Sequence, residues 1–356
     1  MSVNEEYKKG RGAQYNKANP YQEHSYSFDH PEGLDEPFSD SSVNTKFYIE
    51  TPKQIVNKLN SPDIGMAYSL NAYQGCEHGC IYCYARNSHQ YWGFSAGIDF
   101  ESKIIVKENA PDLLEKFLKN PKWEAFPIVL SGNTDCYQPA EKKFGLTRRM
   151  LELFLKYQHP VSIITKNSLI LRDLDLLEEL DKLSLVHVSL SITSLDEKLR
   201  QKLEPRTSTS ANRLKTVNIL SGKGIPVHIM AAPVIPGLND HEIPEILKRS
   251  ADNGASGAGY TMIRLNGSIG DIFTDWINKT FPDKASKVLH QIRECHNGKL
   301  NDSRYGTRMK GEGKVAETIN QLFKLSYKKY FKGRKMKEQN LNIYKKPGGC
   351  QLDIFK

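Results

Sequence analysis

The chain has 356 residues, 38% hydrophobic and 26% charged, enough for one large α/β domain or two medium ones, each with a full core. No apolar run approaches the ~20 residues that span a bilayer, and the N-terminus lacks the apolar core of a secretory signal, so the membrane and secreted classes are excluded and a cytoplasmic protein is expected. A formal charge of +9, from 50 Lys+Arg against 41 Asp+Glu, permits a polyanionic partner without demonstrating one.

Residues 1–46 are polar, without apolar periodicity, and read as a flexible arm or a loose wrap. From Phe47 onward, short apolar runs alternate with amphipathic stretches. The runs Tyr68–Tyr73, Pro127–Gly132, Val161–Lys166, Val186–Thr193, Val227–Ile235 and Tyr260–Leu265 are mostly apolar or β-branched. That is the pattern of strands buried on both faces of a parallel sheet. Helical periodicity fills 111–120, 146–157, 171–183 and 243–254 between them. This βαβ rhythm predicts an α/β fold, a partial (β/α)6 TIM-type barrel over residues 60–270. Residues 271–356 read as a helical C-terminal extension with a mixed tail. In such barrels the reactive groups lie at the C-terminal ends of the strands. The segments that follow the runs are rich in Gly, Asn, Asp, Ser and Thr, part of which is ordinary loop composition.

The first of those segments, "GCEHGCIYCYAR", holds three of the six cysteines, Cys76, Cys80 and Cys83. In a reducing compartment such clustering points to metal or catalysis before disulfides. A structural zinc knot would need a fourth ligand and usually pairs its cysteines as C-x2-C modules. Core packing does not account for three thiols within eight residues beside glycines and charges. Three thiolates on one loop suit a [4Fe–4S] cluster, holding three irons and leaving the fourth open to a small molecule. Gly75 and Gly79 let the loop curl around a bulky group. His78, inside the loop, reads as a solvated or supporting group rather than a ligand. Cys295 ends a helical pattern and reads as packing, and Cys350 as a structural tail thiol.

The C-x3-C-x-Tyr-C spacing on the loop after the first barrel strand resembles the radical S-adenosylmethionine superfamily. With "SGNTDCYQPAE", "ITKNS" and "KPGGCQLDIF", it resembles the group related to spore photoproduct lyase, often labelled DNA repair photolyase-like, over about residues 60–355. The resemblance implies a [4Fe–4S] cluster on Cys76, Cys80 and Cys83 that reductively cleaves S-adenosylmethionine to a 5′-deoxyadenosyl radical, which abstracts hydrogen from the substrate. It implies that Ser131, Gly132, Asn133, Thr134 and Asp135 contact the methionine amine, in place of the usual Gly-Gly-Glu form. Lys166, Ser189 and Ser191 would reach the carboxylate and ribose, and a backbone turn including Pro233 and Gly237 would hold the adenine. Tyr82 and Tyr84 match tyrosines that flank the third cysteine in the lyase. Cys136, 53 residues after Cys83, stands where the lyase has a hydrogen-donating thiol.

The substrate class implied is a nucleic acid, DNA or RNA, repaired or modified in a lyase-like reaction, with a flavodoxin or ferredoxin as reductant. The alternatives are radical modification of a protein or small metabolite, and a non-catalytic iron–sulfur or zinc protein that binds nucleic acid. Two basic stretches bear on this. Seven Lys and Arg between Lys324 and Lys337 interleave with aromatics, but the apolar residues fall at near-helical spacing, which favours a core face with solvated lysines opposite. The Gly-rich segment 298–314 reads as a loop over the barrel mouth and is the better polyanion candidate.

Overall fold

The computed structural model describes residues 7–21 and 44–346. Cys350 and the tail motif after Lys346 lie outside the described residues. The strands are β1 (Lys46–Glu50), β2 (Val56–Lys58), β3 (Tyr68–Leu70), β4 (Tyr73–Gln74), β5 (Lys103–Lys107), β6 (Ile128–Leu130), β7 (Val161–Thr165), β8 (Val186–Ser191), β9 (Val227–Val234) and β10 (Gly257–Met262). The helices are α1 (Asp99–Ser102), α2 (Ala110–Leu118), α3 (Glu141–Phe144), α4 (Leu146–Lys156), α5 (Leu174–Lys182), α6 (Glu197–Leu203), α7 (Ser210–Gly222), α8 (Ile243–Asp252), α9 (Ile269–Thr280), α10 (Pro282–Cys295) and α11 (Gly313–Tyr330).

All six predicted strands form. They pair in parallel in the order β3-β6-β7-β8-β9-β10, and β2 adds antiparallel to β3 at the edge. Val161, Ile163, Val186, Val188, Leu190, Val227 and Ile229 are buried in one core with Leu114 of α2, Met150, Leu151 and Phe154 of α4, and Leu247 of α8. Burying each such side chain contributes about 1.5–3 kcal/mol, so the alternation along the strands fixes which face meets the helices. The opposite face encloses a cavity of about 380 Å³, lined among others by Val129, Ser162, Ile164, His187, Ser189 and His228. The architecture is therefore a partial (β/α)6 TIM-type barrel with a helical extension.

Three features depart from the sequence expectation. The run Tyr68–Tyr73 breaks at Asn71, whose carboxamide oxygen accepts the amides of Asn133 (2.8 Å) and Thr134 (3.2 Å). Only β3 joins the barrel; β4 leaves it to pair with β5 in a small sheet of order β1-β5-β4. Residues 7–21 of the arm are not loose, because Arg11, Ala13, Gln14 and Asn19 are buried. The helical stretch after Gly270 divides at Pro282, which cannot donate to the preceding turn and so starts α10.

The extension packs as the spacing predicts. Ala316, Ile319 and Phe323 of α11 are buried, with Phe331 just beyond it, while Lys324, Lys328, Lys329 and Lys332 are exposed. Cys295 is fully buried. Among the described residues no helix is long and apolar enough to cross a membrane.

Candidate active site

The cysteine loop leaves β4 and enters a 3-10 helix, Tyr84–Trp92. Backbone bonds fix both of its ends. Cys76 N–H donates to Phe100 O (2.8 Å) beside the small sheet, and Ile81 N–H donates to Leu203 O (3.0 Å) at the end of α6. Gly75 and Gly79 adopt φ of 81° and 67°, the left-handed region that glycine enters without penalty. A Cβ at Gly79 would stand 2.7 Å from a Glu101 oxygen. Gln138, fully buried, accepts from Glu77 N–H (3.0 Å) and donates to Gly75 O (3.2 Å).

A buried ion pair ties the loop together from behind. Arg86 and Glu101, both inaccessible to solvent, meet at 2.5 Å. Arg86 also donates to the carbonyls of Cys80 (2.9 Å), Gly79 (3.1 Å) and Gly97 (2.9 Å). Glu101 accepts the amides of Gly12 (3.1 Å) and Ala13 (2.8 Å) from the N-terminal segment. Buried charges persist only when paired and hydrogen-bonded in this way.

Cys76 and Cys80 are buried, Cys83 is half-buried, and all three are free thiols. Burial pushes each thiol up. Asp135 and the neighbouring cysteines add to this at Cys76, and Glu204 adds to it at Cys80. Arg86 and Lys166 oppose it at Cys83. Among the described residues no three His, Cys, Asp or Glu side chains converge on a single-ion site. The donor chemistry fits iron, because binding cationic iron releases the protons that burial holds on sulfur.

Facing the loop, Asp135 accepts from Thr165 Oγ1 (2.7 Å) and Lys166 N–H (2.8 Å), and it pairs with His78 Nδ1 (3.3 Å). Burial pushes the Asp135 carboxyl up, but His78 and these hydrogen bonds outweigh it and hold it at about 2. The other nitrogen of His78, Nε2, meets the Asn167 carboxamide nitrogen (3.1 Å). His78 is only 1% exposed, a supporting group rather than a solvated one.

On the opposite wall, Glu204 pairs with Arg213, both fully buried, and also takes the hydroxyls of Tyr82 and Thr193. Burial pushes the Glu204 carboxyl up, yet Arg213 and Lys166 hold it down at about 2. Lys166 Nζ lies 5.9 Å from the Tyr82 ring centre. Burial acts to lower its pKa, but Cys80, Glu204 and Asp135 leave it raised, so it is a cation beside the thiols. Arg213 further donates to Ser191 O (2.8 Å).

Tyr84 is 55% exposed, with its hydroxyl on Gly132 O. Asn133 reaches Ser88 Oγ (3.1 Å), and the Thr134 hydroxyl donates to Tyr73 O (2.6 Å). Ser131, at φ 74°, accepts Cys136 N–H (2.6 Å). The Pro233–Gly237 turn is organised by Asn239, which donates to Pro233 O (3.1 Å) and Thr193 O (2.7 Å), while Gly237 N–H donates to Asp240 (2.9 Å).

The structure thus gathers Cys76, Cys80, Cys83, Tyr82, Asp135 and Lys166. Two other expected residues have different surroundings. Ser189 lines the inner cavity with His187 and His228. Cys136, expected as a hydrogen donor, is 5% exposed and packs in the main core. The sequence reading missed Arg86, Glu101, Gln138, Glu204 and Arg213. Arg86 and Gln138 fall inside the segments "GCEHGCIYCYAR" and "SGNTDCYQPAE", which marked their place but not their role, whereas Glu101, Glu204 and Arg213 lie in no quoted motif.

This is the fold and loop placement of a radical S-adenosylmethionine barrel. Residues 70–249 match the model of the Radical SAM superfamily, and the chain belongs to that family and is a radical S-adenosylmethionine enzyme. It is 33% identical over 244 residues to an uncharacterized protein of Mycobacterium tuberculosis, covering 68% of this chain and 72% of that protein. It is 35% identical over 191 residues to one of Methanocaldococcus jannaschii, covering 53% and 68%. Its fold is similar to that of spore photoproduct lyase with bound AdoMet and dinucleoside spore photoproduct. The TM-score is 0.59 at 15% identity, over 81% of this chain and 80% of that one.

Proposed function

We propose that Cys76, Cys80 and Cys83 hold a [4Fe–4S] cluster and that the enzyme performs hydrogen abstraction on a nucleic-acid substrate at the barrel mouth. The observation that carries the cluster assignment is the buried three-thiol loop, rigidly framed and faced by Lys166. When bound, the reduced cluster supplies the electron that cleaves S-adenosylmethionine to a 5′-deoxyadenosyl radical, the species that takes hydrogen from the substrate.

The chain's own residues prepare this chemistry. Lys166 presents a cation where the cosubstrate carboxylate would lie. Tyr82, held through its hydroxyl by Glu204 and Thr193, offers a fixed aromatic edge beside Cys80 and Cys83. Asp135, kept ionised by its hydrogen bonds, offers an acceptor to an ammonium group. Burial of Cys76 and Cys80 keeps water from two of the three sulfurs. Support for the substrate class comes from the exposed Tyr84 at the mouth, the basic excess of the chain and the fold it shares with the lyase.

The test is anaerobic reconstitution of the full chain with iron and sulfide. The expected result is a brown protein that forms 5′-deoxyadenosine after reduction, and Cys76→Ala, Cys80→Ala or Cys83→Ala each abolishes both colour and product. Deuterium should pass from deuterated single-stranded DNA or RNA into 5′-deoxyadenosine. A colourless protein ends the cluster reading; a coloured, active protein that takes no deuterium from either polymer ends the substrate reading.

A further inference from the structure

The loop that follows β10 carries Arg264 at the C-terminal end of the barrel. That loop is fastened to the 3-10 helix behind the cysteines. Asn87 donates to Asn266 O (2.8 Å) and accepts Ser268 N–H (3.1 Å), while Gln90 reaches Ser268 Oγ (3.1 Å). On its other side lies the segment 302–311, which runs along β10 through Met262 N–H to Met309 O (2.9 Å). This segment crosses to the residues before β3. There Arg308 meets Asp63 and Ser61, each at 2.5 Å, and Gly306 N–H donates to Asp63 (2.8 Å). The segment therefore bridges the open seam of the partial barrel, where the sequence placed a loop over the mouth.

Arg264 is half-buried between these two walls. Among the described residues its hydrogen bond goes from Nη1 to the Met309 sulfur at 3.7 Å, and its Nε is buried without a partner there. The two carboxylates in its field are already engaged: Asp63 by Arg308, and Asp302 by Arg304 at 2.7 Å. A guanidinium has five donors in a planar fork that matches carboxylate or phosphate oxygens. The Arg264 Nε is buried unmet, which is costly unless a ligand completes it, and the rest of the fork faces a half-open site.

The neighbours say which anion. Arg264 lies within the electrostatic reach of Tyr84, the exposed tyrosine that follows Cys83. Tyr305, 59% exposed, lies under the Arg308 guanidinium at 4.4 Å. Guanidinium groups beside open aromatic rings suit a strand whose phosphates pair with arginine while its bases stack. The cosubstrate's carboxylate has its own cation in Lys166, 5.9 Å from the Tyr82 ring centre and in the field of Cys80.

We propose that Arg264 is the anion-recognition residue of the substrate site, its guanidinium taking a phosphate oxygen of the nucleic-acid strand whose base lies on Tyr84. The inference rests on the nucleic-acid reading above and assigns the contact by which that substrate is held. Segment 302–311 positions the guanidinium by closing the seam behind it.

The test is fluorescence anisotropy of a short fluorescein-labelled single-stranded thymidine oligonucleotide with the reconstituted full chain across a salt series. Arg264→Gln is expected to weaken binding about tenfold and to lower the magnitude of the log–log salt slope by about 0.7, the loss of one phosphate contact on a single strand. Arg264→Lys keeps the charge, so it should keep the slope while losing part of the affinity, a pattern that misfolding would not produce. If the parent binds the oligonucleotide and Arg264→Gln leaves affinity and slope unchanged, the assignment is overturned and the nucleic-acid reading stands. An equal loss of S-adenosylmethionine binding in Arg264→Gln moves the guanidinium to the cosubstrate and overturns it too. If the parent binds no oligonucleotide at any salt, the nucleic-acid reading itself fails.

Discussion

Arg86 and Glu101 show why single side chains decide whether the cysteine loop exists. Neither has solvent to fall back on, and between them they satisfy two carbonyls of the loop, those of Ala96 and Gly97 beyond the 3-10 helix, and two amides of the N-terminal segment. Removing one partner strands the other charge in the interior, a change that typically costs 3–5 kcal/mol, whereas surface pairs such as Lys182–Glu179 are worth about 1 kcal/mol or less. Glu101→Gln keeps the shape and removes the charge, so it isolates this effect. Its expected outcome is a urea midpoint lowered by about 3 kcal/mol of stability, together with faster iron loss from the reconstituted protein. An unchanged midpoint would mean that the pair contributes no net stabilisation. The cysteine motif marks the place of Arg86 but not its role, and nothing marks Glu101, because an Arg or Glu reads the same whether it faces water or a loop's carbonyls. The same holds for Glu204 and Arg213. The cysteines, by contrast, announce themselves by spacing.

The N-terminal segment works as an element that closes over the cysteine loop. Gly12 lies so close to it that an added Cβ would stand 1.9 Å from Gly79 O and 3.2 Å from an Arg86 nitrogen. No side-chain rotation relieves a clash with backbone, so Gly12→Ala must lift the segment away and surrender the amide bonds of Gly12 and Ala13 to Glu101. The expected result is rapid proteolytic cutting within residues 7–21 and a shorter lifetime of the reconstituted cluster in air. Gly222→Ala, where an added Cβ meets nothing within 4 Å, should change neither. Equal protease resistance in the two variants would show that the segment is held by other contacts. The polar composition of this stretch hid its packing, since backbone amides, not apolar side chains, make its best bonds. Elements with strong periodicity were legible: the six strands, α2, α4, α8 and α11. Both α7, whose apolar residues are spread around the helix, and the two-stranded core of the small sheet, β1 with β5, gave no such signal. The cysteine loop itself follows β4 of the small sheet and not a barrel strand, a detour that the continuous run Tyr68–Tyr73 hid.

At the scale of the whole molecule, the N-terminal ends of the strands form a floor that the C-terminal segment straps shut. Gln339 donates to Val161 O (2.8 Å) and Leu185 O (2.9 Å), and Asn340 N–H donates to Ser184 O (2.8 Å). Tyr344 stands edge-on to His159 with ring centres 5.2 Å apart. His159 is fully buried. Its Nε2 accepts from Trp123 Nε1–H (3.0 Å), which leaves the proton on Nδ1 to donate to Pro160 O (2.9 Å). Only the neutral ring can do both. Burial pushes its pKa down to about 4 from 6.5, with the Pro160 bond opposing weakly. The unfolded chain therefore takes up this proton first as pH falls. Above pH 6.5 both states are neutral and the stabilisation is complete; between 6.5 and 4 it is progressively lost as the unfolded state is protonated. A separation of that size corresponds to about 3 kcal/mol. His159→Gln keeps an acceptor for Trp123 and cannot titrate. Urea midpoints measured across this window should fall more steeply for the parent than for the variant, and the two curves should run parallel above pH 6.5. Parallel curves throughout would place the acid sensitivity elsewhere, because a histidine that titrates alike in both states contributes no slope.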